Sequence, residues 1–274
     1  MKLTLLGTGS PIPAPDRAGC ANLVEAGLHR LLFDCGRGVV MRLAAAGALP
    51  GMISQLFLTH LHSDHVTDFN DIVTTRWAMS PVDHPLPVIG PVGTQRFADR
   101  TLAMLDDDIG YRMAHHDDLT WQPSVVVREV ERGVVWEADG VRVIAAPTDH
   151  RPVAPTVGYR VEHGGTSIVL AGDTVPCTDL DELVDGADVY VQTVIRPDLV
   201  ALVPSPRFHD ICDYHSSCEH AGATAARAGV RTLVLTHQVP TPLPGSEHEW
   251  IDQARVGGFA GEIVFAHDLT SVDV

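Results

Sequence analysis

The 274-residue chain is 45% apolar and 20% charged, ordinary proportions for a globular protein, which excludes disordered, collagen-like and coiled-coil architectures. Its formal net charge is −16 and only one of its 19 basic residues is a lysine, Lys2, so a broad nucleic-acid or anionic-membrane surface is disfavoured. Five cysteines without a C-x-x-C pair point to reduced thiols and a cytoplasmic location, and no apolar run reaches the roughly 18 residues of a membrane span.

In chain order, residues 3–6 are expected as an apolar strand running into the turn Gly7-Thr8-Gly9-Ser10-Pro11. Residues 22–25 and 30–34 read as paired strands around Ala26-Gly27, and 38–47 as a helix stopped by Gly47-Ala48-Leu49-Pro50. A short buried strand at 55–59 runs straight into His60, and 64–79 has helical spacing with Val66, Phe69, Ile72, Val73 and Trp77 apolar. A strand at 86–89 and a helix at 94–105 come next. Residues 106–122 are polar and irregular; they read as a surface excursion, a solvated loop at His115-His116 and Asp117-Asp118, with a lid over the site as the alternative. Strands are expected at 124–130, 141–145, 156–161 and 167–170, then a helix at 179–185 and a strand at 188–192. Residues 196–214 look loop-like, 217–228 helical, and 231–236 a buried strand ending at His237; a helix at 247–255 and a strand at 263–265 follow. Each half begins rich in strands and gains helices later. That pattern predicts an α/β fold, one domain over 1–274, with two mixed sheets face to face and helices outside.

The 15 histidines direct attention to metal ligands, and the sharpest cluster is Thr59-His60-Leu61-His62-Ser63-Asp64-His65. His60 and His62 are two apart, so an extended chain points both the same way. Asp64 and His65 open the following helix and address a neighbouring point. Imidazole and carboxylate are zinc-type ligands, and two adjacent metals form a hydrolytic site by lowering the pKa of a shared water. A capped polar turn would explain Asp64 alone, not all four residues. His150, Asp173 and His237 each follow the end of a buried apolar strand, where loops of one sheet rim converge. The chain lacks the Gly-x-Ser-x-Gly elbow of serine hydrolases, and Gly7-Thr8-Gly9 lacks the third glycine of a dinucleotide site. Arg151 and Arg196 are candidates for substrate phosphate, with surface charge pairing as the simpler reading. Cys212, His215, Cys218 and His220 match no common zinc finger.

With Asp34 in Leu32-Phe33-Asp34-Cys35-Gly36, these positions run in the order of the five motifs of the metallo-β-lactamase superfamily, which the chain resembles over nearly its whole length. Within it the chain is similar to the ribonuclease Z group and its phosphodiesterase and arylsulfatase relatives. The residues that carry this are Leu6-Gly7-Thr8-Gly9-Ser10, Ala171-Gly172-Asp173-Thr174, His215-Ser216-Ser217 and Leu235-Thr236-His237. The resemblance implies an αββα sandwich and a binuclear zinc hydrolase, with manganese or iron as other metals, acting as a phosphodiesterase and, as in many relatives, dimeric. It implies that His60, His62 and His150 hold one zinc, that Asp64, His65 and His237 hold the other, and that Asp173 bridges them. It further implies Asp64 as the acceptor of the water proton and His215 as the histidine facing the substrate phosphate.

The chain departs from the group in two places. Gly158-Tyr159-Arg160 runs through the tight turn Gly164-Gly165 into Ile168, so the long arm that grips tRNA is absent. Gln192-Thr193-Val194-Ile195 stands where the group has His-Glu-Ala-Thr. With the acidic charge, these departures predict a small phosphodiester substrate and poor cleavage of RNA such as pre-tRNA. Hydrolysis of an aryl sulfate or lactone is the alternative, and a non-catalytic metal-binding protein a third reading.

Overall fold

In the computed structural model, which describes residues 1–274, fourteen strands form two seven-stranded sheets. The first sheet holds β1 (Lys2–Gly7), β2 (Ala21–Ala26), β3 (His29–Phe33), β4 (Gln55–Phe57), β5 (Leu86–Gly90) and β6 (Val125–Glu129) in sequence order, with β14 (Thr270–Asp273) beside β1. The second sheet runs from β7 (Gly133–Ala138) through β8 (Val141–Pro147), β9 (Val157–His163), β10 (Thr166–Leu170), β11 (Val189–Ile195) and β12 (Thr232–Val239) to β13 (Glu262–Phe265). The two ladders share one pattern. β14, β1, β2 and β3 are antiparallel and β3 to β6 parallel; β7 to β10 are antiparallel and β10 to β13 parallel.

Three apolar layers explain why the sheets stack. Leu3, Leu5, Phe33, Phe57, Val143, Tyr159 and Val191 fill the space between the sheets. Outside the first sheet, α1 (Val39–Ala45), α3 (Phe69–Ala78) and α4 (Thr94–Met104) bury Leu43, Phe69, Ile72 and Ala98. Outside the second, α6 (Thr178–Val184), α9 (Cys218–Ala228) and α10 (Glu247–Val256) bury Leu180, Ala221, Ala225 and Trp250. β11 is buried at every residue because both of its faces are covered, and its apolar run is broken only by Gln192 and Thr193. The expected αββα sandwich is therefore present, and no helix is long and apolar enough to cross a membrane.

Several local expectations need correction. The helix expected over 64–79 is divided into α2 (Ser63–Val66) and α3. The His65 carbonyl accepts from Cys35 N (2.7 Å) and Asp68 N donates to the Cys35 carbonyl (2.9 Å), so both groups leave the helical ladder. The expected excursion is mostly helix, α5 (Asp106–His115), with Asp106, Asp107 and Asp108 in the first turn, where the helix dipole favours them. Asp108 also pairs with Arg112 one turn on (2.8 Å), and Ile109 is buried. Inside the loop-like stretch lie α7 (Pro197–Val200) and α8 (Pro206–His209). The edge strands β7 and β14 give no sustained apolar run because only Val135 of β7 and no residue of β14 is buried.

Candidate metal centre

The topology explains why distant residues meet. β8, β10 and β12 point the same way, since antiparallel β9 separates β8 from β10 while β10, β11 and β12 are parallel. Their C-terminal ends share one rim, and the loops beyond them carry His150 and Asp173, while His237 sits near the end of β12. The loop after β4 brings His60, His62, Asp64 and His65 to the same place from the first sheet. Two clusters result: His60, His62, His150 and Asp173, and beside it Asp64, His65 and His237.

Two of these residues sit in unusual backbone. His237 has φ 50° within a bulge, where β12 spends extra residues opposite β11 between Thr193 and Ile195. The bulge re-aims the side chain toward the centre. Gln238 stabilises it by donating to the carbonyls of Leu235 (2.9 Å) and Ala266 (3.0 Å) and accepting from Arg17 (2.6 Å). Asp34, at φ 60°, closes β3 and organises the first-sheet loop. Its carboxylate accepts from Thr59 N (2.8 Å), Thr59 Oγ1 (2.9 Å) and His65 Nδ1 (2.8 Å). Glycines let the loops close in: a Cβ on Gly36 would lie 2.2 Å from the Asp64 carbonyl, and one on Gly172 would lie 2.8 Å from Thr59 Cβ.

Hydrogen bonding fixes where the imidazole protons sit, and so which nitrogens are free. Thr59 Oγ1 donates to Asp34 and so accepts from His60 Nδ1 (3.0 Å), leaving His60 Nε2 a lone pair. His150 Nδ1 donates to the Tyr214 carbonyl (2.8 Å), leaving His150 Nε2 a lone pair as well. Both lone pairs face His62 Nδ1, at 3.0 and 3.3 Å. Two of the three converging nitrogens thus carry no proton, and burial holds His60 well below its ordinary pKa and His150 down at about 4. A cation satisfies this meeting of lone pairs; His62 alone cannot donate to both.

The second cluster has a similar deficit. His65 gives its Nδ1 proton to Asp34, and its buried Nε2 has no partner, 3.4 Å from Asp173 Oδ2 and 3.7 Å from Asp64 Oδ2. His237 Nε2 lies 3.0 Å from Asp64 Oδ2. Asp173 Oδ1 is buried and unpartnered, while Oδ2 stands within 3.9 Å of ring nitrogens of His60, His65, His150, His215 and His237. Burial alone would raise Asp64, but the His237 hydrogen bond and nearby His65 hold it down at about 2. The donor set therefore fits metal cations. Cys20 lies near Asp34 and His65, but burial lifts its thiol to about 11, against a thiolate ligand there.

His215 approaches Asp173 Oδ2 through Nε2 (3.3 Å), while its Nδ1 donates to the Ile211 carbonyl (2.9 Å). Sequence reading missed this arrangement: the segment from Ser205 to Tyr214 orients both His150 and His215 through main-chain carbonyls, which leave no residue signature. The orienting Thr59 was missed too, although it stands next to His60. Gln192 and Thr193, the substitutes for His-Glu, are buried and donate to the Gly172 carbonyl (3.4 and 3.0 Å), bracing the turn before Asp173. Arg151 and Arg196 are paired with Asp149 and Asp198. Cys218 faces the Ile195 carbonyl and His220 Nδ1 accepts from Ser217 N in the capping box of α9, so they form no zinc site with Cys212 and His215. A cavity of about 470 Å³ opens over the centre, and α5 contributes nothing to its lining.

Comparison with known proteins agrees with this architecture. The family described as "Beta-lactamase superfamily domain" matches residues 29–238. A protein named ribonuclease Z from Mycolicibacterium paratuberculosis is 56% identical, covering 100% of this chain and 98% of its own. Another of that name from Mycobacterium bovis is 53% identical over the same shares. Among solved structures, the metallo-β-lactamase fold protein YhfI from Bacillus subtilis superposes with a TM-score of 0.75 at 21% identity, covering 99% of this chain and 98% of that one. The short form of human tRNase Z gives 0.73 at 23% identity, covering 100% and 99%. Matched by the superfamily over most of its length and by these relatives from end to end, the chain belongs to the β-lactamase superfamily, in its ribonuclease Z-like group of metallo-β-lactamase-fold hydrolases.

Proposed function

We propose that this enzyme hydrolyses a phosphodiester bond in RNA. The observation that carries the metal-assisted chemistry is the convergence of the His60 and His150 lone pairs on His62, beside a second cluster of Asp64, His65 and His237. The RNA reading is supported by full-length relatives that carry the name ribonuclease Z. The expected preference for small substrates rested partly on the absent arm. The hairpin at Gly164-Gly165 does lack it, with φ 62° and 84° at its two glycines. Yet the alignment with the first of those relatives spans 276 residues, which leaves no room for a long arm in a protein of that name. The missing arm thus loses its force against RNA. A small phosphodiester remains the second reading, favoured by the net charge of −16. The sulfate-ester and lactone alternatives find no support in these relatives.

His60, His62 and His150 would hold one metal ion, Asp64, His65 and His237 the other, with Asp173 reaching both. Two zinc ions, or manganese or iron, would supply the Lewis acidity that activates water near neutral pH and offsets phosphoryl charge. Asp64, a carboxylate at neutral pH, accepts the proton of the attacking water. His215, in its doubly protonated form with Nδ1 on the Ile211 carbonyl, donates from Nε2 toward the leaving oxygen and keeps Nδ1 bonded as that proton leaves. Asp34 and Thr59 fix the rings of His65 and His60 without touching substrate. A cytoplasmic homodimer is the working state that accompanies this reading. The test is a panel of pre-tRNA, bis-(p-nitrophenyl) phosphate, an aryl sulfate and a lactone, each with and without chelator. Chelator-sensitive cleavage of the phosphodiesters is expected; turnover of the sulfate or lactone alone would overturn the reading.

A further inference from the structure

The cavity over the centre has two unlike sides. Residues of the centre, His62, Asp173 and His215, give it one polar lining, and the segment around α8 gives it a wall of Arg207, Phe208 and Tyr214. That wall is tied to the centre, because the same segment's carbonyls hold His150 and His215 at 2.8 and 2.9 Å. Arg207 is exposed at this wall and makes no ion pair or hydrogen bond, unlike Arg151 and Arg196, which are committed to neighbouring carboxylates. In a chain with a single lysine, Lys2, a free arginine in the active-site cavity is a rare anion-binding group. Phe208 follows it directly and presents an aromatic face that is only partly buried.

Resting on the RNA reading above, we propose that Arg207 and Phe208 form a nucleotide subsite. Phe208 stacks on the unpaired base next to the scissile phosphodiester, and Arg207 holds the phosphate that follows it. Stacking is insensitive to base identity, since every base has a π-face. The arginine contact requires a second phosphate, so the subsite favours an RNA strand over a small diester with only one. A cavity of about 470 Å³ has the size usual for small-ligand sites.

The test uses the full-length, metal-loaded enzyme and two substrates, a single-stranded oligoribonucleotide and bis-(p-nitrophenyl) phosphate. The ratio of their kcat/KM values should fall about tenfold in Arg207→Ala, the loss of one charge-assisted contact. It should fall at least about fivefold in Phe208→Ala and recover in Phe208→Tyr. Arg100→Ala, which removes an equal charge from the exposed face of α4, serves as the control. A second arm measures binding of a cleavage-resistant phosphorothioate oligonucleotide by fluorescence anisotropy across a salt series. The slope of log K against log salt should weaken by about 0.7 in Arg207→Ala, the value for one phosphate contact on a single strand. The subsite is overturned if Arg207→Ala behaves like Arg100→Ala in both arms, or depresses both substrates in equal proportion. If the wild type cleaves no phosphodiester, the RNA reading fails by itself, and the binding arm still decides whether the subsite exists.

Discussion

The first sheet delivers four candidate ligands from one loop, His60, His62, Asp64 and His65, whereas the second delivers His150, Asp173 and His237 from three separate strands. The two contributions are braced differently. In the first, side chains do the bracing: Asp34 and Thr59 bond directly to His65 and His60. In the second, main-chain groups dominate: the Tyr214 and Ile211 carbonyls hold His150 and His215, and the Gly172 carbonyl takes the bonds that steady the turn before Asp173. The contrast follows from local geometry. A single loop needs a residue beneath it to spread its side chains, while loops at neighbouring strand ends are already placed by the sheet.

The largest break in this comparison is expected at Asp173, where the two contributions meet. Asp173→Ala removes the carboxylate that approaches ring nitrogens from both sheets. Elemental analysis of protein purified without chelator should fall from two equivalents of metal to well under one. Phosphodiesterase kcat/KM should drop at least about a thousandfold, in line with several kcal/mol of lost charge stabilisation. His237→Ala, confined to the second cluster, should retain more metal; equal metal loss in the two variants would contradict a bridging role. Next comes Asp64→Asn, which keeps size but removes the proton acceptor. Turnover should fall by about 10²–10⁴-fold with an unchanged circular dichroism spectrum, and an unaltered kcat at saturating metal would remove Asp64 from that role.

The same contrast explains what could be read from sequence. The His60–His65 loop is legible because its ligands are close in sequence, and a strand followed by a helix sets their directions. His150, Asp173 and His237 are legible only as residues past apolar strands; their meeting depends on β8, β10 and β12 sharing a direction, a fact of topology. The buried strands and amphipathic helices were legible from periodicity. The break between α2 and α3 was not, because it comes from a long-range exchange between Cys35 and the backbone of His65 and Asp68. Nor was the helicity of Asp106–His115, whose acidic first turn resembles a loop by composition while favouring a helix by electrostatics. The carbonyls that orient His150 and His215 belong to every residue and so carry no sequence signal.

Two threonines sharpen the comparison between the halves. Thr59→Val removes the hydroxyl that links Asp34 to His60 Nδ1, and nothing else in the structure bonds that nitrogen. His60 then loses its orienting acceptor, and metal affinity measured by chelator competition should weaken about ten- to a hundredfold, the usual cost of losing such a partner.

The smallest effect is expected from the matching change in the second sheet, Thr193→Val. Thr193 Oγ1 donates to the Gly172 carbonyl (3.0 Å), one residue away from Asp173 rather than to the ligand itself. That carbonyl keeps a second donor, Gln192 Nε2 at 3.4 Å, so the substitution leaves no buried acceptor wholly unpaired. Gln192 is itself held by the hydroxyl of Tyr190, which fixes its amide in the donating orientation. Metal affinity should therefore change by less than about threefold, the scale of a single net hydrogen bond of about 0.5 kcal/mol. Losses of similar size for Thr59→Val and Thr193→Val would show that both halves are braced alike. If the Thr193→Val loss appears only in combination with Gln192→Ala, the Gly172 carbonyl is the shared element, and the bracing of Asp173 runs through the main chain.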